Sequence, residues 1–450
     1  MRLFTIFLVF GLLSASLGSN VKQVDETWES IDNRTKPTWY DQAKVGIFVH
    51  WGLFSVPGFK NEWFWHEWQS DHDEEVENFI KANYPPGFTY QEFANQLTGE
   101  FFNATQWAEL FKRSGAKYVV LTSKHHEGFT LWPSKYTYSF NSVDLGPHKD
   151  IVGELGEAVR AAGLKYGLYN SLIEWYHPLH IQDLENGNTS DFVDLKVFPE
   201  MVDLVNLYKP DIFWSDGDWD MPDTYWKATK FLAWLFNDSP VKDTVLTNDR
   251  WGTNTLCVHG DFYTCVDRYN PGFLQEHKWE NAMTIDWHSW GYRRNSNIDE
   301  YATTKQLIEL LVETVSCGGN ILINVGPTKE GHISPIYQER LLQLGEWLSI
   351  NGEAIYESTP WTDYQNDTLT SGVWFTQKGE ATYAAILQWP QNNTLRLGSV
   401  EKLFSESTEV WILDSYQQLN WTSIDEDIIA VNMPDRASVY SNDAWVIRIK

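Results

Sequence analysis

What most restricts the fold of this chain is an alternation, between about residues 40 and 350, of short apolar runs with stretches of helical periodicity. "VGIFVHWG" (45 to 52), "KYVVLTSKHH" (117 to 126), "LKYGLYNS" (164 to 171), "DIFWSDG" (211 to 217), "TVLTNDRW" (244 to 251) and "NILINVGP" (320 to 327) read as strands. They are apolar on both faces, as parallel strands sandwiched by helices must be. Between them, Trp107, Leu110 and Phe111 share a helical face ahead of Ser114-Gly115, and Ile151, Leu155, Val159 and Ala162 share one ahead of Gly163. Met201, Leu204, Val205 and Tyr208 precede Pro210, and Leu307, Leu310 and Leu311 precede Gly318-Gly319. The order is βαβα, hence an α/β domain with a parallel sheet.

A doubly wound open sheet and a (β/α)8-type barrel both satisfy that order. The open dinucleotide-binding sheet carries G-x-G-x-x-G after its first strand, and "VGIFVHWGLFS" has no such loop. The strands end in groups suited to a pocket: His50, His125 with His126, Tyr169, Asp216, Arg250 and Asn324. A barrel gathers the C-terminal ends of many strands around one point, so the barrel is expected. From about residue 360 the texture changes to short alternating strands such as "VWFTQ", "TYAAILQW", "EVWILD" and "AWVIRIK", separated by Asn, Gly and Asp turns. The expected division is a signal peptide over 1–18, a (β/α)8-like catalytic domain over 19–358 and a C-terminal β-sandwich domain over 359–450.

The opening "MRLFTIFLVFGLLSASLG" pairs one early Arg with a short apolar run and small residues, the pattern of a cleaved secretory signal. Seven Asn-x-Ser/Thr sequons, at Asn33, Asn103, Asn188, Asn237, Asn366, Asn392 and Asn420, fit a glycoprotein of the secretory route, lysosomal or secreted. No later stretch is apolar enough to enter a bilayer, so no membrane insertion is expected. Sixty-one acidic against 34 basic side chains give a formal net charge of −27, which repels nucleic acid and anionic membranes. Three cysteines are too few for a disulfide scaffold; Cys257 and Cys265 are spaced to close a small loop, which leaves Cys317 buried and free.

"PDIFWSDGDWD" (210 to 220) holds four aspartates beside strongly apolar residues. If 211 to 216 is a strand, Ile212, Trp214 and Asp216 share one face, and Asp216 ends the strand at the rim where barrel enzymes place catalytic groups. Asp218 and Asp220 fall in the following loop and are expected to be solvated turn or helix-capping carboxylates. Paired carboxylates with many aromatic and imidazole groups around a neutral pocket are what glycoside cleavage requires: one carboxylate at the anomeric carbon, one acid at the leaving oxygen.

At these residues the sequence resembles the α-L-fucosidases of glycoside hydrolase family 29, of the animal tissue or lysosomal type. The resemblance runs through "KVGIFVHWG", "NEWFWHEW", "LTSKHHEGF", "WSDGDWDMPDTYW", "NDRWG", "HKWE", "SWGYRR" and "GGNILINVGPTKEG". It implies a barrel with a C-terminal β-domain, and exo-acting removal of terminal α-L-fucose from glycoproteins, glycolipids or oligosaccharides, with retention through a covalent glycosyl-enzyme. Asp216 matches the family nucleophile, and His50, Glu62, Trp63, His125, His126, Tyr169, Trp214 and Arg250 match positions around the fucose. Two carboxylates compete for the acid/base, Asp267 in "FYTCVDRY" and Glu280 in "HKWE", with Asp267 preferred. The family signature has Cys two residues after that Glu, where this chain has Ala282, so no thiol is needed there. No metal and no organic cofactor are implied. Family members are often oligomers, which implies a homo-oligomer. Two readings remain beside this one: a retaining exo-glycosidase for another sugar, and a fucose-binding, lectin-like protein without turnover.

Overall fold

The computed structural model describes residues 23–187, 189–398, 400–425 and 427–450. The expected signal peptide and the sequon at Asn188 lie outside the described residues. Seven parallel strands form the central sheet: β1 (Val45–Val49), β2 (Tyr118–Lys124), β3 (Lys165–Ser171), β4 (Ile212–Asp216), β5 (Leu246–Thr247), β6 (Trp279–Thr284) and β7 (Gly319–Val325), in the order β5-β4-β3-β2-β1-β7-β6. The two edges are joined through the extended segment 261 to 263. Asp261 N donates to Thr247 O (2.9 Å), Tyr263 N donates to Lys278 O (2.9 Å), and Glu280 N donates to Tyr263 O (2.9 Å). The sheet therefore curls into the expected barrel, with the eighth staff reduced to a bridge.

Two strand readings need correction. "TVLTNDRW" contributes only Leu246–Thr247 to the ladder, and β6 lies outside every run expected to form a strand. The reason is chemical. β6 is buried throughout yet carries Glu280, Asn281 and Thr284 inside the protein, each with polar partners, so it lacks the apolar run that announces a buried strand.

Helices cover the outside of the barrel with the faces expected. Ala104–Arg113 starts at Asn103, whose side chain accepts from Gln106 N (3.0 Å), and buries Trp107, Ala108 and Phe111. Ile151–Ala161 is capped by Asp150, and Thr304–Ser316 by a Thr303/Gln306 capping box. Inside the barrel, Phe48, Tyr118, Tyr169, Ile212, Trp214 and Leu322 belong to one buried cluster. These rings need space, and Gly46 supplies it: a Cβ there would fall 2.3 Å from the Tyr118 ring.

The C-terminal part is two antiparallel sheets. β8 (Thr359–Pro360), β9 (Val373–Lys378), β10 (Ala381–Ile386), β12 (Val410–Ile412), β13 (Gln417–Leu419) and β16 (Trp445–Ile449) form one, and β11 (Thr394–Leu397), β14 (Trp421–Asp425) and β15 (Ile428–Asn432) form the other. They enclose Phe375, Leu395, Ile412, Val431 and Ile447. The barrel's last helix, Pro335–Asn351, docks here through Trp347 Nε1 donating to Ala444 O (3.0 Å). Among the described residues no helix is long and apolar enough to cross a membrane.

Candidate active site

The C-terminal ends of the barrel strands surround a pocket of about 400 Å³, open mouth included, lined by Phe48, His50, Glu62, Trp63, His125, His126, Tyr169, Trp214, Asp216, Trp219, Arg250, Asp267 and Trp290. Asp216 is the last residue of β4, and Gly217 after it takes φ +76, a left-handed turn where a Cβ would meet Ile173 at 2.9 Å. The chain thus leaves the strand abruptly and the carboxylate stays at the rim, 8% exposed. Tyr169 OH donates to its Oδ2 (2.7 Å) and Arg250 Nη1 to its Oδ1 (2.9 Å). Burial, followed by the Asp216 charge, raises the Tyr169 phenol well above its usual range, so it remains a donor.

Arg250 organises the mouth. Its Nη2 donates to Asp267 Oδ1 (2.7 Å), its Nε to Thr264 Oγ1 (3.0 Å), and its guanidinium lies 4.8 Å from the Trp214 ring centre. Asp267 has one side open to solvent, its side chain 45% exposed, with dense protein around the rest. Burial works to raise its carboxyl, but the charge and hydrogen bond of Arg250 prevail and hold it below the usual carboxylate range.

The three imidazoles are held differently. Asn324 Nδ2 donates to Trp290 O (2.7 Å), so Asn324 Oδ1 accepts, at 2.6 Å, from His50 Nδ1. His50 Nε2 is left as an acceptor, and burial, then the neighbouring His125, pulls the ring down to about 3, which keeps it neutral. Ser171 Oγ donates to Ile173 O (2.8 Å) and accepts from His126 Nδ1 (2.7 Å), so His126 Nε2 is also an acceptor; it lies 3.6 Å from Asp216 Oδ2. Two acceptors cannot satisfy each other, so His126 Nε2 is left to accept from a hydroxyl entering the pocket. His125 Nδ1 sits 3.2 Å from the buried Glu127 carboxylate. Glu62 Oε2 is saturated by Ser289 Oγ (3.1 Å), Trp290 N (2.9 Å) and Gly291 N (3.2 Å), which fixes the side chain at the pocket wall.

Glu280 is elsewhere. It points into the barrel from β6, is fully buried, and lies beneath the pocket floor rather than in its lining. Tyr40 OH (2.5 Å) and Tyr118 OH (2.7 Å) donate to its Oε2, and Trp214 Nε1 (3.0 Å) donates to its Oε1. Burial raises its carboxyl, against the pull of those hydrogen bonds.

Asp218 corrects another expectation. It is 2% exposed rather than solvated, caps no helix, and is pushed up to about 7 by burial and then by the Asp216 charge. Asp220 is exposed, as expected of a loop carboxylate. Cys257 and Cys265 are bridged, and Cys317 is buried and free.

A sequence profile described as alpha-L-fucosidase matches residues 12–353, and one described as alpha-L-fucosidase C-terminal domain matches residues 365–450. The chain belongs to the α-L-fucosidase family. It is a glycoside hydrolase of the fucose-releasing class. An alpha-L-fucosidase of Branchiostoma floridae is 53% identical over 450 residues, covering 99% of both chains. The plasma alpha-L-fucosidase of Homo sapiens is 54% identical over 414 residues, 91% of this chain and 88% of that one. The structure of the Thermotoga maritima alpha-fucosidase superposes with a TM-score of 0.82 at 34% identity, covering 95% of this chain and 100% of that one, and a further structure of it is a complex with fucose.

Beside the residues expected to surround the sugar, this fucosidase-family pocket contains Phe48, Trp219 and Trp290. Each lies in a segment whose resemblance was legible, but no periodicity marks an aromatic as lining a pocket rather than a core. Trp219 is the plainest case: it stacks on Trp63 (centroids 5.6 Å, 27°) while 41% exposed.

Proposed function

We propose that the protein removes terminal α-L-fucose from fucosylated glycans by a retaining double displacement, with Asp216 as nucleophile and Asp267 as acid/base. The observation that carries this reading is the Arg250 fork, which binds Asp216 with one nitrogen and Asp267 with the other, at 2.9 and 2.7 Å. One guanidinium thus holds both carboxylates at a single pocket mouth; a retaining mechanism calls for two carboxyl groups about 5 to 5.5 Å apart.

In the first step Asp216 attacks the anomeric carbon as the glycosidic C–O bond breaks, and Asp267, in the protonated form that its pairing with Arg250 disfavours, gives its proton to the departing oxygen. In the second, Asp267 takes a proton from water, the water oxygen bonds to the anomeric carbon, and Asp216 leaves. Tyr169 and Arg250 hold the nucleophile and keep their protons throughout. His50 Nε2, His126 Nε2 and the free oxygen of Glu62 supply fixed partners for sugar hydroxyls, while Phe48, Trp214 and Trp290 form an apolar wall for the methyl group of a 6-deoxy sugar. Glu280 has no access to a leaving group and acts by holding the Trp214 floor. The plasma and tissue names of relatives, the sequons and the disulfide support a secreted or lysosomal destination.

Trapping with a 2-fluoro fucosyl donor, followed by peptide mass mapping, tests the scheme. The label is expected on the peptide containing Asp216; a label on any other carboxylate, or an active enzyme that never becomes labelled, overturns it.

A further inference from the structure

Asp249 lies outside the pocket and is fully buried, yet it fastens the loop that carries Asp267. Its Oδ1 accepts from Thr264 N (2.8 Å) and Thr264 Oγ1 (2.6 Å), and its Oδ2 from Cys257 N (2.8 Å) and Cys265 N (3.1 Å). The Cys257–Cys265 disulfide closes the same turn. Cys257, Cys265 and Arg268 have φ of 57, 51 and 58°, the left-handed region that side chains with a Cβ avoid, so the chain does not follow this path unaided.

The loop is open to solvent at Asp267: Val266 beside it is 61% exposed and the Asp267 side chain 45%. Downstream, Arg268 N donates to Ala282 O (2.9 Å) and its guanidinium to Thr284 Oγ1 (3.0 Å); upstream, the Tyr263 bridge to β6 holds the backbone, and between that bridge and Asp267 the hold is Asp249 and the disulfide. Thr264 Oγ1, which donates to Asp249, also accepts from Arg250 Nε (3.0 Å), so a continuous hydrogen-bond chain runs from Asp249 through Thr264 and Arg250 to Asp267. Asp249, Cys257 and Cys265 lie close enough to suggest a metal site, but joined sulfurs offer no thiolate.

We propose that Asp249 and the Cys257–Cys265 disulfide form a clamp that sets the position of Asp267 as proton donor, which makes turnover of fucosides with unactivated leaving groups dependent on the oxidised state of this pair. The inference rests on Asp267 being the acid/base. These are positioning residues. Reduction by a dithiol breaks the S–S bond, adds two electrons and two protons to give two thiols, and oxidises the reagent to its cyclic disulfide. Cys257 is exposed, so a reagent reaches it.

The test compares two substrates: methyl α-L-fucoside, whose leaving group needs a proton, and α-L-fucosyl fluoride, whose leaving group needs little help. Asp249→Asn, the double variant Cys257→Ser with Cys265→Ser, and wild-type enzyme reduced with dithiothreitol are each assayed, with alkylation and mass spectrometry confirming the reduction. Misplacement of a catalytic group by about 1 Å costs about 100-fold, so kcat/KM for the methyl fucoside is expected to fall about 10- to 100-fold while the fluoride changes less than about threefold. Equal loss on both substrates, or no loss in any of the three, overturns the clamp; reduction of folded wild type keeps the test open where a variant fails to fold. Asp267→Ala runs alongside. If it shows the split and the clamp forms do not, the clamp alone is wrong; if it lowers both substrates alike, the acid/base assignment falls and the clamp with it.

Discussion

Asp218 makes the fold's stability depend on pH in a direction opposite to that of a salt-bridged aspartate. Its carboxyl is buried beside Asp216, with Arg250 the nearest compensating charge, and is raised from the ordinary 3.8 to about 7. In the unfolded chain the proton leaves near the ordinary value; in the folded chain it stays on until about 7. Between those values the folded state binds the extra proton, so this group's stabilisation is complete below the unfolded value and is lost as pH rises through the folded one. The rise spans roughly three powers of ten in the acid constant, and at about 1.4 kcal/mol for each the loss approaches about 4 kcal/mol near neutrality, an upper figure. Asp218→Asn keeps the shape and cannot ionise. It is therefore expected to raise the thermal midpoint only slightly at pH 4.5, where about a quarter of the loss has set in, and by several degrees at pH 7.5. Scanning fluorimetry of both proteins in the two buffers gives the double difference, from which the unrelated effects of the amide cancel. An equal gap at the two pH values, or a variant less stable at pH 7.5 than at 4.5 relative to wild type, refutes the reasoning.

Two further outcomes follow from the site. Glu280→Ala orphans Tyr40 OH, Tyr118 OH and Trp214 Nε1, at about 1 to 3 kcal/mol for each buried donor left unpaired; activity is expected to fall equally for good and poor leaving groups, with Glu280→Gln milder, whereas a selective loss on poor leaving groups relieved by azide would make Glu280 the acid. Arg250→Met removes the charge that holds Asp267 below the usual range. Since a proton donor must be protonated, the alkaline limb of kcat/KM is expected to move to higher pH as total activity drops, and a limb that stays put or moves to lower pH contradicts the assignment.

Much of the architecture was legible because it is local. A buried parallel strand must be apolar on both faces, and a covering helix must repeat its apolar residues along one side, so β1, β2, β3, β4 and β7 and the helices between them announce themselves in the chain. β6 did not, because its inward residues are Glu280 and Ala282 rather than large apolar groups, and the ring closure at Tyr263 is a single bridge without a periodicity of its own. Strand alternation places Asp216 at the end of β4 and the family resemblance gives it its expected role, while Asp218, two residues later, is buried against expectation because burial of a loop carboxylate is decided by what packs over it.

The sequence by itself determined the class of fold, the strand-end groups that meet at one rim and the carboxylate that closes β4, since each depends on residues within a few positions of one another. Only the tertiary structure decided which later carboxylate stands at the mouth and which lies under the floor. Between Arg250 and Trp279 the backbone follows hydrogen bonds to Asp249, Thr247 and Ala282, partners brought together by barrel closure, and such contacts between distant residues leave no repeating pattern along the chain.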